Sequence, residues 1–449
     1  MSLQTLIPLL IATPGVLFLM LGTLWLLGGH VSERAISRIS KATHAFLAVL
    51  VVIIGRAMWQ RNMASMNVSL GDWFTVAEYG FPLSLLIDRL SLPLVGTTVL
   101  LAGIVGSFSV RYLHRDPGFY RFFLLLHLFT FGALLVFTAG SLDLLVVGWE
   151  IVRITSVLLI GFFQYRPDPV RNALRVFATY RVADLFMLSA VFLAYHWFGT
   201  ASWAGIFRGS WPGSVCKFDG SAATAIAVLL TFAASGKSSQ GPFCGWLPRA
   251  MEGPTPSSAV FYGAISVHAG AYLLLRVEPL LHQSVIATSL VIFIGLTTAF
   301  LGTLIHRTCA DAKTSLAYAA QTQIGLIFAE IGLGWTTLAL MHLVGHAMLR
   351  TLQFLRAPSM LRDYHRVHAA AGGKLSPTGG CYESLLPSAV QIWLYRWALG
   401  RGFYDSILER WVMAPVLKLA RGLGIFEPRF LRQQPEAKPS AKVVETPVA

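Results

Sequence analysis

The feature that most constrains this chain is the recurrence of apolar runs long enough to cross a bilayer, from the first residues to about residue 356. A hydrocarbon core takes about 20 apolar residues per helix, and eleven such runs can be placed: roughly 4–27, 43–58, 84–110, 120–140, 142–163, 172–197, 221–243, 256–275, 284–305, 312–333 and 335–356. Backbone polar groups inside lipid must be satisfied within each segment. The expected fold class is therefore all-α, a polytopic bundle of about 11–12 transmembrane helices. Only 12% of the 449 residues are Asp, Glu, Lys or Arg, about half the fraction usual in soluble domains. The net charge of +14 would point to nucleic acid in a soluble protein, but the arginines sit in short clusters between apolar runs. That is the signature of membrane topology, and no nucleic-acid partner is expected.

Those clusters orient the chain. Arg34, Arg38 and Lys41 follow the first run, Arg111, Arg115 and Arg121 the third, and Arg166, Arg171 and Arg175 the fifth. The intervening connectors hold Asp72, Glu78, Asp143, Asp219 and Glu278. Basic short loops stay in the cytoplasm, so the expected arrangement is a multi-pass protein of the cell inner membrane with its N-terminus outside and its C-terminus cytoplasmic. The polar, aromatic stretch Asn67–Phe81 reads as a small outer hairpin. The first run lacks a basic n-region and a small-residue cleavage site, which predicts a retained span. Three regions are expected along the chain: a transmembrane domain over 1–356, a cytoplasmic and interfacial segment over 357–432, and a disordered tail over 433–449. Within the second, Phe403–Leu423 mixes Trp411, Leu417 and Leu419 with Arg410, Lys418 and Arg421, as an interfacial cytoplasmic helix would.

Ionisable residues inside spans cost several kcal/mol and are functional hypotheses by default. Here they form a series: Glu150 and Arg153 in span five, Arg181 and Asp184 in span six, Lys237 in span seven, His268 in span eight, and His342, His346 and Arg350 at i, i+4 and i+8 of span eleven. A packing role competes with each. Glu150 with Arg153 or Arg181, and Asp184 with Arg181, are equally readable as structural ion pairs; a single His268 is readable as interhelical glue; Arg350 is readable as a snorkelling residue. The number of such groups on successive spans favours a proton path. Gly236 and Pro242 flank Ser235, Ser238, Ser239 and Gln240, predicting a helix broken around Lys237, where irregular backbone needs protein or water to satisfy it.

Other motifs fail. Gly236-Lys237-Ser238 lacks the first glycine of a phosphate-binding loop, since Thr231 stands there. His342 and His346 have metalloprotease spacing, but Leu343 replaces the required glutamate. Cys216, Cys244, Cys309 and Cys381 have no ligand or disulfide spacing.

The runs Val147-Gly148-Trp149-Glu150, Tyr180-Arg181-Val182-Ala183-Asp184, Ser235–Gln240 and Trp246–Pro256, with Asp311–Tyr318 and Met341–His346, resemble the antiporter-like proton-translocating subunits of respiratory complex I and of multi-subunit cation/proton antiporters. The likeness covers Phe81–Leu355. It implies that Glu150 is the carboxylate modulating the pump lysine, that Lys237 is that lysine, that Arg181 and Asp184 are its charged neighbours, and that His342 and His346 are the later histidines; His268 is expected to join them on the proton path, and Arg153 and Arg350 to join the modulating charges. Arg350 stands where a lysine is common, and arginine does not deprotonate. Tyr262–Gly270, in which His268 replaces a usual Thr, and Phe403–Leu408 look most like DabB, the membrane subunit family of the two-component DAB inorganic-carbon (CO2/bicarbonate) uptake complexes. That resemblance implies a transporter subunit without catalysis, metal or cofactor of its own, passing protons or Na+ across the lipid bilayer. Its partner would be a large cytoplasmic DabA-like zinc protein, similar to a β-carbonic anhydrase. The alternatives are a pumping subunit of a quinone- or hydrogenase-linked complex or of a cation/proton antiporter, and a membrane anchor whose polar groups only pack.

Overall fold

The computed structural model describes residues 3–29, 31–76, 79–370 and 385–403, with isolated positions beyond. Two units divide the chain, Met1–Leu399 and Gly400–Ala449; the first contains the bundle. The interfacial helix expected over 403–423 and the tail over 433–449 lie almost wholly outside the described residues.

All eleven expected runs fall on helices: α1 Leu3–Leu26, α2 Glu33–Gln60, α3 Ser91–Tyr112, α4 Phe119–Thr138, α5 Leu142–Ile160, α6 Pro167–Phe198, α7 Gly220–Lys237, a broken eighth span ending in α8 His268–Arg276, α9 Val285–His306, α10 Ala312–Gly332 and α11 Thr336–Arg356. Among the described residues nine helical segments are long and apolar enough to cross a membrane by themselves. The two that are not, α5 and α10, hold Asp143, Glu150 and Arg153, and Lys313, Gln321, Gln323 and Glu330 respectively. Their polar side chains turn inward on their neighbours, which is why the same helices build the site. Two further helices follow, α12 Met360–Ala370 and α13 Ser388–Leu399.

Several boundaries differ from expectation: α6 starts five residues early, at Pro167, α7 ends six residues early, at Lys237, and two others differ more. α2 starts ten residues before the second apolar run, because the Ser32 hydroxyl caps it by accepting from the Ala35 N–H; Arg34, Arg38 and Lys41 are helical, not loop. The outer hairpin is also larger, with β1 Ser65–Val76 pairing antiparallel with β2 Tyr79–Asp88. Asp88 ends the strand. Its carboxylate accepts from the N–H groups of Leu90 and Ser91 at 3.1 and 2.9 Å, so α3 begins at Ser91 and not near residue 84.

Alternate connectors gather at opposite ends of the bundle. At the hairpin end, Leu85 bridges Ala139, Ser141 bridges Ser202, and Arg276 pairs with Asp88. At the other end, His114 after α3 pairs with Glu33 at 2.7 Å, and Lys313 donates to the Met251 and Gly253 carbonyls.

Close helix contacts depend on glycine. A Cβ on Gly295 would lie 2.4 Å from the Gly325 carbonyl oxygen, and one on Gly325 2.5 Å from that of Gly295, so α9 and α10 touch backbone to backbone. A Cβ on Gly270 would lie 2.3 Å from the Ala234 oxygen, fixing the approach of α8 to α7.

Candidate proton-translocation site

Lys237 is the last residue of α7, as the flanking Gly, Ser and Pro residues predict. The carbonyls released there are taken up locally. Gln240 N–H donates to the Ser235 oxygen at 2.8 Å and the Trp246 indole donates to the Gly236 oxygen at 2.8 Å. The Ser238 hydroxyl donates to Val267 O at 2.6 Å, locking the break in α7 to the break in span eight. That span runs as a short turn Thr255–Ser257, a π-helix Ser258–Ala264 and then α8. π-turns concentrate where a helix has been opened for function.

The lysine is 2% exposed. Its ammonium lies 5.1 Å from the Trp149 ring centre and 5.3 Å from the Tyr180 ring centre, and 3.4 Å from the Trp149 carbonyl oxygen. Two π faces and one carbonyl thus hold the cation, where the sequence alone pointed to a neighbouring carboxylate.

The carboxylates are held by Arg153. This fully buried guanidinium pairs with Glu150 on its own helix and with Asp184 on α6. The Trp149 indole N–H also donates to Asp184, at 3.1 Å. Asp184 is therefore partnered by Arg153, not by Arg181 one turn away. Arg181 is half exposed and faces Glu150 at 3.7 Å. The result is a string, Arg181–Glu150–Arg153–Asp184, joined at Asp184 by the indole N–H of Trp149, whose ring also faces the Lys237 ammonium.

Past the lysine, Ser266 stands two residues before His268 in the chain, and its hydroxyl and that of Tyr180 are both buried without a hydrogen-bond partner among the described residues. His268 Nε2 is 2.8 Å from His346 Nδ1, and both rings are buried. His342 follows one turn along α11, its ring centre 6.5 Å from that of His346. Arg350, one turn the other way, is buried at 7% exposure and does not snorkel. The structure thus brings His268, His342 and His346 together, and gathers Glu150, Arg153, Asp184 and Lys237 around Trp149.

Sequence reasoning missed the aromatic cradle of Trp149 and Tyr180, the pairing of Asp88 with Arg276, and Glu330 beside His342. Intramembrane charge flags Glu330 and Arg276; the aromatic residues carry no comparable signal in an apolar segment.

Comparison with known proteins places the chain in a family. A family described as NADH:quinone oxidoreductase/Mrp antiporter, TM, matches residues 139–379, and the complex I chain 5 N-terminus matches 73–123. The chain belongs to this proton-antiporter membrane-subunit family. NADH-ubiquinone oxidoreductase chain 5 of Neurospora crassa is 32% identical over 357 residues, covering 78% of this chain and 48% of that one. NADH-quinone oxidoreductase subunit L of Mycobacterium tuberculosis is 33% identical over 339 residues, covering 75% and 52%. The chain therefore spans about half the length of the curated relatives it matches. A chain of the Mrp complex from Dietzia sp. DQ12-45-1b superposes with a TM-score of 0.65 at 27% identity, over 79% of this chain and 37% of that one. This is a multi-pass membrane protein of the complex I and Mrp type. The family matches name complex I and Mrp, which is coarser than the DabB likeness drawn from Tyr262–Gly270.

Proposed function

We propose that this subunit translocates protons within a larger membrane complex of the complex I or Mrp antiporter type. Lys237 is the switching group, and Glu150, His268, His342 and His346 belong to the path. Arg153, Arg181, Asp184 and Arg350 set its field. The observation that carries the reading is the buried Lys237 at a helix break, held by two aromatic faces beside the Arg153–Asp184 pair and followed by a hydrogen-bonded histidine pair. A buried lysine changes its proton affinity when a nearby charge moves. Arg153, shared between two carboxylates, is such a charge. Residues 1–356 carry the translocation, the basic connectors face the cytoplasm of the inner membrane, and the segment from Arg356 onward docks soluble partners.

The test is proton flux in vesicles holding the purified complex. Lys237→Ala and Glu150→Ala abolish coupled flux while the complex still assembles; undiminished flux in both overturns the proposal and favours a membrane anchor.

A second reading, coupling to a DabA-like zinc protein that converts CO2 to bicarbonate, is supported by the Tyr262–Gly270 segment and its His268. The proteins that copurify decide between them. Flavin or iron–sulfur subunits favour a redox pump, antiporter subunits an Mrp-type exchanger, and a carbonic-anhydrase-like zinc protein the carbon reading.

A further inference from the structure

The His268–His346–His342 series does not stop at His342. Glu330 lies two residues before the end of α10, and His342 six residues after the start of α11, so both stand near the α10–α11 connector. With helices alternating in direction, that connector is at the hairpin end of the bundle, and Gly334 within it lies against His282 from the connector before α9. At 1.5 Å rise per residue, each step from His346 to His342 to Glu330 climbs toward that end.

His342 is held on both sides. Its Nε2 is 3.0 Å from the Gln323 side-chain oxygen, and its Nδ1 is 2.9 Å from Glu330 Oε1. The Gln323 oxygen only accepts, so Nε2 carries a hydrogen and Nδ1 is the nitrogen left to exchange a proton. The contact with Glu330 then requires one proton between Nδ1 and Oε1. It is shared as imidazolium with carboxylate, or as neutral imidazole with carboxylic acid. His268 and His346 are 1% and 6% exposed; the His342 and Glu330 side chains are more open, at 24% and 17%, although Glu330 Oε2 itself is buried.

We infer that Glu330 is the terminal proton-exchanging group of the path, delivering protons at the hairpin end of the bundle through the His342–Glu330 pair. The inference rests on the proton-translocating reading of the Lys237 site. The observed contact is the loaded state. In its carboxylic acid form Glu330 passes the proton to water: the O–H bond breaks, hydronium forms, Glu330 returns to carboxylate and His342 is left a neutral ring. The replacement proton comes from His346 in its imidazolium form, through one water across the 6.5 Å between ring centres, once the contact of His342 Nδ1 with Glu330 has opened: an N–H bond of His346 breaks, the Nδ1–H bond of His342 forms, and His346 is left a neutral ring. Gln323 is a positioning residue, since it selects the nitrogen that exchanges.

The experiment compares Glu330→Gln, Glu330→Asp and Lys237→Ala in vesicles holding the whole complex, reading proton flux per assembled complex. Glu330→Gln keeps a hydrogen-bonding side chain beside His342 but cannot take up a proton. It lowers flux by about tenfold or more, and Glu330→Asp recovers a substantial part. Unchanged flux per assembled complex in Glu330→Gln, with only the amount of complex reduced, makes the pair structural and overturns the inference. Lys237→Ala separates the two ideas. If it abolishes flux while Glu330→Gln does not, the outlet alone is wrong; if neither matters, the translocation reading fails with it.

Discussion

Arg276 grips the Asp88 carboxylate with both terminal nitrogens, at 2.5 and 3.1 Å, and so ties the last turn of the span that carries His268 to the strand–helix corner before α3. Both side chains are buried, and Arg276 also donates to the Tyr272 hydroxyl, which itself donates to Phe137 O. Removing one partner of such a pair leaves an uncompensated charge, at a cost of about 3–5 kcal/mol. Asp88→Asn and Arg276→Met are each expected to cut the amount of folded protein sharply, and the double variant by less than the sum. A thermal-unfolding cycle in detergent checks this; strictly additive losses would show that the pair is not coupled.

Arg153 serves two carboxylates at once. Arg153→Met therefore leaves Glu150 and Asp184 facing each other without a shared cation, and should lose both flux and stability, the latter by at least about 3 kcal/mol. Arg153→Lys keeps the charge but not the fork that reaches two acceptors. The expected result is a folded complex with reduced flux, measured by comparing assembly with transport in the same preparation.

The π faces on Lys237 make a separate prediction. Trp149→Leu and Tyr180→Leu each remove a cation–π contact worth roughly 2 kcal/mol when desolvated, and Trp149→Leu also removes the hydrogen bond to Asp184. Trp149→Leu should therefore reduce flux more than Trp149→Phe, which keeps a π face. Equal flux in the two variants would show that the ring does not hold the cation.

Gly325→Leu should separate α9 from α10, because even the first side-chain carbon would sit 2.5 Å from the Gly295 oxygen. Since α10 carries Gln323 and Glu330, loss of the fold and loss of the histidine path should appear together. Full-length, correctly assembled Gly325→Leu protein would contradict the packing described.

Outside the spans, burial pushes the Cys216 thiol up from its ordinary value. Less of it is thiolate at neutral pH, so maleimide labelling of Cys216 should run slower than that of a free thiol and accelerate only at more alkaline pH. Mass spectrometry of the labelled peptide across a pH series reads this directly.

Much of this organisation was legible in the residues. Apolar runs locate helices because a bilayer leaves few other solutions for the backbone. Gly236, Ser238, Ser239 and Pro242 announce the break because they are poor at continuing a helix, and His342 and His346 fall on one face because their spacing matches a helical turn. Partner choice was not legible. Arg181 is the nearest arginine to Asp184 in sequence, yet Arg153 from the adjacent helix reaches it, because the crossing of α5 and α6 points Arg153 inward and leaves Arg181 half exposed.

The sequence by itself determined a polytopic helical bundle, a family and a short roster of intramembrane charges, since each follows from local composition or from spacing within one helix. Only the tertiary structure decided which of those charges meet. Asp88 finds Arg276, His268 finds His346, and Lys237 lies between Trp149 and Tyr180, through contacts that span 188, 78, 88 and 57 positions. Such distances close through helix crossing angles and glycine-mediated approach, which are properties of packed surfaces and not of any single segment.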